Sequence, residues 1–270
     1  MEALFDTFLN NWEFCLLLFL RISGLIFSSP IFGRNNIPTI VKIGFCGSIA
    51  AMLVASGPAV IAQMETFDYT GGVFGFVLLC ILELLYGFVL GYVQNLFFQL
   101  IAFTGGQMID MQMGFGMVNV FDVQSNLSVP MMGNFFNLLL LMVFFESRSY
   151  QFLIRILVLT VTEIPIGTTD ITPEIGLVAV QLFVETFVLA TIVAMPIVGA
   201  GLVGEACFGI LMRVVPQMNA FAIGVPVKII LGFLVISSMI PIYVSFAPQL
   251  YDRMFAALEL MFSTMRSGAA

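Results

Sequence analysis

Long apolar runs separated by short polar breaks organise the whole chain. Runs long enough to span the hydrocarbon of a bilayer, about 17–25 residues, fall near 14–32, 43–62, 73–103, 135–162, 175–203 and 229–247. Each reads as a helix, and together they predict an all-α integral membrane protein with about six long, partly broken apolar helices. The third and fifth runs are long enough to tilt, kink or protrude. The fourth is interrupted by Glu146, Arg148 and Arg155, so it reads either as one helix or as two shorter ones; counting broken runs separately raises the total to eight.

Basic residues at the breaks orient the helices, because cytoplasmic connections are enriched in Lys and Arg. Arg34 and Lys42 mark the first connection and Arg213 and Lys228 the fifth, whereas the second and fourth carry Glu65, Asp68, Asp170 and Glu174 with no basic residue. The first and fifth connections are therefore expected inside. The chain begins MEALFDTFLNNWEF, acidic where a signal peptide is basic, so the first run is expected to be a retained helix. At the other end, Leu250, Met254, Ala257, Leu258, Met261 and Met265 follow helical spacing with charged residues between them. That pattern suits a tail lying on a membrane surface or against a partner helix.

The stretch 105–130, GGQMIDMQMGFGMVNVFDVQSNLSVP, departs from the pattern. It sets Gly105, Gly106, Gly114, Gly116 and Pro130 among Met108, Met111, Met113 and Met117, with Asp110 and Asp122 and no Lys or Arg. Irregular backbone at membrane depth is tolerated only against protein or a water-filled cavity. Glycine breaks regular structure, and methionine fills irregular gaps at low strain. The segment reads as packing that seals and yet moves; a solvated loop would be more polar, while a static core remains the plain alternative.

Composition removes several function classes. Of 270 residues, 60% are hydrophobic and 9% charged, against about 25% charged in soluble domains. The nine basic residues are scattered in a chain of net charge −7, which gives no nucleic-acid footprint. There is no histidine, and Cys15, Cys46, Cys80 and Cys207 stand apart in apolar stretches. No nucleophile–base pair, metal-ligand spacing or phosphate-binding glycine loop is evident, so no cofactor is expected and a membrane-embedded enzyme is disfavoured. Glu83, Glu185 and Glu205 sit in or beside apolar runs, where a central charge costs at least about 2.5–3.5 kcal/mol. Either they line a polar path or interface, or each sits near a helix end or pairs with Arg155, Arg213 or another chain. Glycine pairs at 71/75, 87/91 and 201/204 suit close helix packing, within the chain or between chains.

Four motifs occur in a fixed order: SPIFG-x4-P-x3-K-x-G (29–44), GQMID-x-QMGFG (106–116), FD-x-QS-x3-VP (121–130) and PQMNAFAIGVPVKI-xx-G (216–232). Together they resemble the FliR family of export-gate membrane subunits of bacterial flagellar type III secretion, across about 220 residues. Val123 departs from the family's usual proline, and Asp110 from its usual small residue; acidic residues at that point are more reminiscent of the virulence-injectisome counterpart, whereas QMGFG favours the flagellar branch. The resemblance implies assembly with FliP and FliQ into a helical, cone-shaped pore in the bacterial inner membrane, within the flagellar basal body, with FlhB at its cytoplasmic entrance. It further implies a FliP-like part (1–172) joined to a FliQ-like hairpin with an amphipathic tail (173–270), and apolar helices of which some do not cross lipid. Unfolded subunits would pass through the pore. The segment 105–130 matches the plug, so the resemblance offers Met108, Met111, Met113, Phe115, Met117 and Phe121 as gasket residues hinged at Gly105, Gly106, Gly114 and Gly116. Arg34, Lys42, Arg213, Gln217, Asn219 and Lys228 fall on the entrance loops, and Glu83, Asp110, Glu185 and Glu205 are polar intramembrane or interface positions. A small-solute secondary transporter is the remaining alternative, but the two halves lack a matching repeat and a substrate-like charge cluster.

Overall fold

The computed structural model describes residues 11–34, 37–67, 69, 72–99, 102, 105–114, 131–168, 172–214 and 220–268. All regular elements among them are helical: α1 Trp12–Ser28, α2 Thr39–Ser56, α3 Pro58–Thr66, α4 Gly72–Gln99, α5 Gly106–Met113, α6 Met131–Glu146, α7 Tyr150–Glu163, α8 Pro173–Val214 and α9 Ala220–Gly268. The protein is an all-α membrane protein. Among the described residues three helices, α4, α8 and α9, are long and apolar enough to cross a membrane, and α2 with α3, bent by 86° at Gly57, provides a fourth if counted as one span. The runs behind α1 and α6 yield 17- and 16-residue helices. Prolines set several boundaries: Pro58 and Pro173 begin α3 and α8, where the missing N–H costs no helical bond.

The polar interruption of the fourth run divides it in two. Between α6 and α7, Arg148 adopts φ 56°, a left-handed conformation uncommon for a residue with a side chain. Just after it, the Gln151 N–H donates to the Arg148 carbonyl at 3.0 Å.

The chain forms two compact units. The first comprises 1–95, 148–182 and 252–270. Within it, α1 buries Phe14, Leu17, Leu18, Ile22 and Ile26. It crosses α4 at backbone distance, since a methyl group on Gly87 would strike the Arg21 carbonyl and one on Gly24 the Leu84 carbonyl. The glycine pair 87/91 is thus used inside the chain. The end of α9 buries Met254, Ala257, Leu258, Met261 and Met265. Phe255 packs against Phe152 of α7 with ring centroids 4.0 Å apart and planes tilted by 35°, and Arg266 pairs with Glu163 at 2.6 Å. The helical periodicity of the tail is as the sequence suggests, but its apolar stripe is covered by its own chain.

The second unit comprises 96–147 and 183–251. Phe98, Phe144 and Tyr251 form its aromatic centre, with ring centroids 5.3–6.1 Å apart, and the Tyr251 hydroxyl donates to the Leu140 carbonyl. Phe136 and Tyr243 pack at 4.7 Å. Pro196 lies inside α8, and Pro226, Pro241 and Pro248 inside α9, each removing one rung of the helical ladder.

Candidate functional site

The root of the methionine-rich segment is α5, whose eight residues are too few to cross a membrane. It ends on Gly114 at φ 78°, with the Gly114 N–H directed at the Asp110 and Met111 carbonyls. This is the left-handed terminus that glycine adopts without Cβ strain. The sequence beyond resumes at α6, and the two helices are fastened together. A methyl group on Gly106 would collide with the backbone of Gly133, so the helices touch at main-chain distance. Asp110, 5% exposed, accepts the Met132 N–H on both carboxylate oxygens at 3.2 Å. A carboxylate at a helix start meets the unpaired N–H groups and the positive end of the dipole. Burial pushes the Asp110 pKa up, and the Met132 bond partly offsets that. Asp110 therefore caps α6 from another helix and staples the two ends that flank 115–130.

The tip of α5 rests in a notch between α8 and α9. A side chain on Gly232 would collide with Met113, and one on Gly201 with Gln112. Ile197, Gly204, Phe208, Lys228, Leu231 and Val235 complete the lining. At its rim the Lys228 ammonium pairs with Glu205 at 2.6 Å. The Gln112 amide approaches Glu205, yet its nitrogen is buried and reaches no acceptor at hydrogen-bonding geometry.

The three methionines of α5 do not converge. Met113 is 2% exposed in the notch, Met111 is 74% exposed, and Met108 is half-buried. Gly105 and Gly106 are buried at the start of α5. Phe115, Gly116, Met117, Phe121, Gln217 and Asn219 lie outside the described residues. Of the loop cations, Arg34 is half-buried and Arg213 is exposed in the last turn of α8. Lys42 is buried in the first turn of α2, donating to the Gly33 carbonyl at 3.0 Å and lying over the Phe27 ring.

Glu83 has a partner that sequence reasoning did not weigh. Its carboxylate, fully buried, takes Arg21 Nε at 2.6 Å and Nη2 at 3.0 Å, and accepts the Gly167 N–H at 2.8 Å. Arg21 Nη1 donates to the Thr160 and Ile164 carbonyls, both at 2.8 Å, and its guanidinium lies 5.0 Å from the Tyr86 ring centroid. The pair thus ties α1 to α4 and caps the C-terminus of α7, where a cation is favoured. A usable signal existed, since Arg21 is a cation inside an apolar run and such a charge needs an acid partner. Glu205 is engaged by Lys228, and Glu185 is exposed on α8. Gly201 and Gly232 were also missed as a pair, although Gly232 closes the fourth motif. Among the described residues no three His, Cys, Asp or Glu side chains gather as a metal site.

Long apolar helices, with a stapled internal segment in the second unit, define a multi-pass helical membrane protein. Residues 13–254 match the family described as Bacterial export proteins, family 1, and the chain belongs to it. It is 26% identical over 246 residues to the flagellar biosynthetic protein FliR of Escherichia coli (strain K12), covering 91% of each chain. Against FliR of Bacillus subtilis (strain 168) it is 26% identical over 226 residues, 82% of this chain and 83% of that one. The surface presentation of antigens protein SpaR of Shigella flexneri is 27% identical over 225 residues, 81% of this chain and 82% of its own. The chain is accordingly a membrane component of the flagellar or type III export apparatus, multi-pass in the inner membrane, and not an enzyme.

Proposed function

We propose that this chain is the FliR-type subunit of the flagellar export gate, which with FliP and FliQ forms the pore through which unfolded flagellar subunits leave, with FlhB at the cytoplasmic entrance. One observation carries the need for protein partners. Within the second unit, α8 exposes Phe183, Val184, Phe187, Val188, Ile192, Met195, Leu202, Val203, Ile210 and Val214. At a rise of about 1.5 Å per residue these apolar positions extend over roughly 46 Å. A hydrocarbon core of about 30 Å covers roughly 39 Å of helix even at a steep tilt of about 40°. Lipid alone leaves apolar surface over, and protein is the other medium that accepts it.

The division into a FliP-like part, 1–172, and a FliQ-like hairpin, 173–270, supplies complementary faces for both partners in this reading. The segment 105–130 closes the pore: Met111 is free to seal, Met113 anchors, and Phe115, Met117 and Phe121 complete the gasket. Arg34, Lys42, Arg213 and Lys228 mark the cytoplasmic side. Likeness to FliR proteins of several bacteria favours the flagellar branch over the injectisome represented by SpaR. Co-expression with its FliP and FliQ counterparts and extraction in mild detergent tests the assembly. All three chains are expected in one large particle. A stable monomer that ignores co-expressed partners would contradict it.

A further inference from the structure

We propose that a cavity within the second unit, walled by α6, α8 and α9, binds the acyl chain of a membrane phospholipid by its methyl end. Its volume is about 170 Å³, and a dry apolar cavity of about 150 Å³ already admits a benzene-sized molecule. Phe136, Ile197 and Tyr243 form the floor, none more than 9% exposed. Ile192 and Ile242, each 57% exposed, stand at the mouth with Pro196. Every lining side chain is hydrocarbon or thioether except Tyr243, and its hydroxyl is closed off from solvent. A ligand therefore meets alkyl groups and ring faces, with no charge and no accessible side-chain donor. Pro196 accounts for the gap, since its ring presses on the preceding turn and interrupts regular helix packing there.

Charges along the two long helices set the depth of this cavity. Between Glu185 and Glu205 α8 carries none, and between Lys228 and Asp252 α9 carries none. At about 1.5 Å per residue the α8 interval is roughly 30 Å long, which is the thickness of bilayer hydrocarbon. The α9 interval is roughly 36 Å, and a tilt of about 30° brings it to the same height. Glu205 and Lys228 pair at 2.6 Å, so the two intervals start level. Ile192 and Ile197 lie roughly 10–20 Å from either end of theirs. That is the level of acyl-chain ends, remote from both sets of headgroups. Within this interval lipid covers α8, whereas the exposed Phe183, Val184, Ile210 and Val214 fall outside it. The site requires only that α8 and α9 cross lipid, whichever way they run and whatever the assembly conducts.

The test uses the full chain in its assembled complex, reconstituted in phosphatidylethanolamine and phosphatidylglycerol vesicles. These carry a phospholipid with a diazirine at the methyl end of one acyl chain. After irradiation, adducts are mapped residue by residue by mass spectrometry. Adducts are expected on the floor, at Phe136 or Tyr243, as well as on the exposed Ile192. They are expected to exceed at least ten-fold those from a probe whose diazirine sits beside the headgroup. Val193→Phe fills the cavity from its wall and is expected to cut floor adducts at least ten-fold while Ile192 stays labelled. Should that variant fail to assemble, Val193→Leu replaces it, with a several-fold loss expected. Adducts on Ile192 with none on the floor, or floor adducts that persist in the filled variants, would overturn the site. A photoreactive residue placed at Ile242 that captures a partner chain, while the floor stays free of lipid, would overturn it in favour of a protein side chain.

Discussion

Arg21 and Glu83 show how one pair of side chains decides the fate of three helices. A buried ion pair often contributes little relative to an apolar replacement, yet losing one member strands the other. Arg21→Met or Glu83→Leu alone is expected to cost about 3–5 kcal/mol, read as lost thermal stability of the detergent-solubilised complex. The double variant is expected to be less damaged than the sum of the singles. Because Arg21 also holds the Thr160 and Ile164 carbonyls, its loss is expected to exceed that of Glu83→Gln, and equal effects would argue against the capping role. Asp110 gives a pH prediction. Its pKa is raised on folding, so the folded state resists ionisation that the unfolded chain undergoes from about pH 4 upward. Its contribution to stability is therefore highest below that range, falls as pH rises through it, and levels off above the raised native value. Asp110→Asn, which keeps an acceptor for Met132, is expected to flatten this slope in thermal melts taken across pH, whereas Asp110→Ala is expected to lose about 1 kcal/mol of capping.

At the scale of elements, glycine decides which helices can touch. Gly87→Ala drives a methyl into the Arg21 carbonyl, and neither helix backbone can yield, so the complex is expected not to assemble. Gly114→Ala instead strains a left-handed residue by about 1–2 kcal/mol, so assembly is expected to persist at reduced stability; pull-down yield of the partner subunits separates the two outcomes. Much of the element plan was legible in the sequence. The charged interruption at Glu146 and Arg148 marked where the fourth run could divide, without deciding between one helix and two, and the spacing of Met254, Leu258, Met261 and Met265 foretold a helix with one apolar face. The covering of that face was not legible, because the same stripe suits a bilayer, a partner or the chain's own core. The partner of Glu83 was hidden by separation: Arg21 lies 62 residues away, and no local spacing links them. The methionines looked like one cluster in sequence, but on a helix Met111 and Met113 are about 200° apart, so one is seated while its neighbour faces out.

At the scale of the whole molecule, the six apolar runs become, among the described residues, three helices able to cross a membrane, or four with the bent pair, and the remainder are shorter. The exposed apolar length of α8 exceeds what a bilayer covers, which is the physical reason to expect the chain inside an assembly. In the function proposed above, 105–130 closes a protein-conducting pore in that assembly. The direct check replaces Met111, Phe115, Met117 and Phe121 together with serine, keeping Met113 and Asp110 so that the Met113–Gly232 contact and the Asp110–Met132 staple survive. Ion and dye leak is then measured across the membrane of cells that carry the complete complex. An assembled complex with a leaky membrane is expected; an assembled complex with a tight membrane would show that 105–130 does not close the pore.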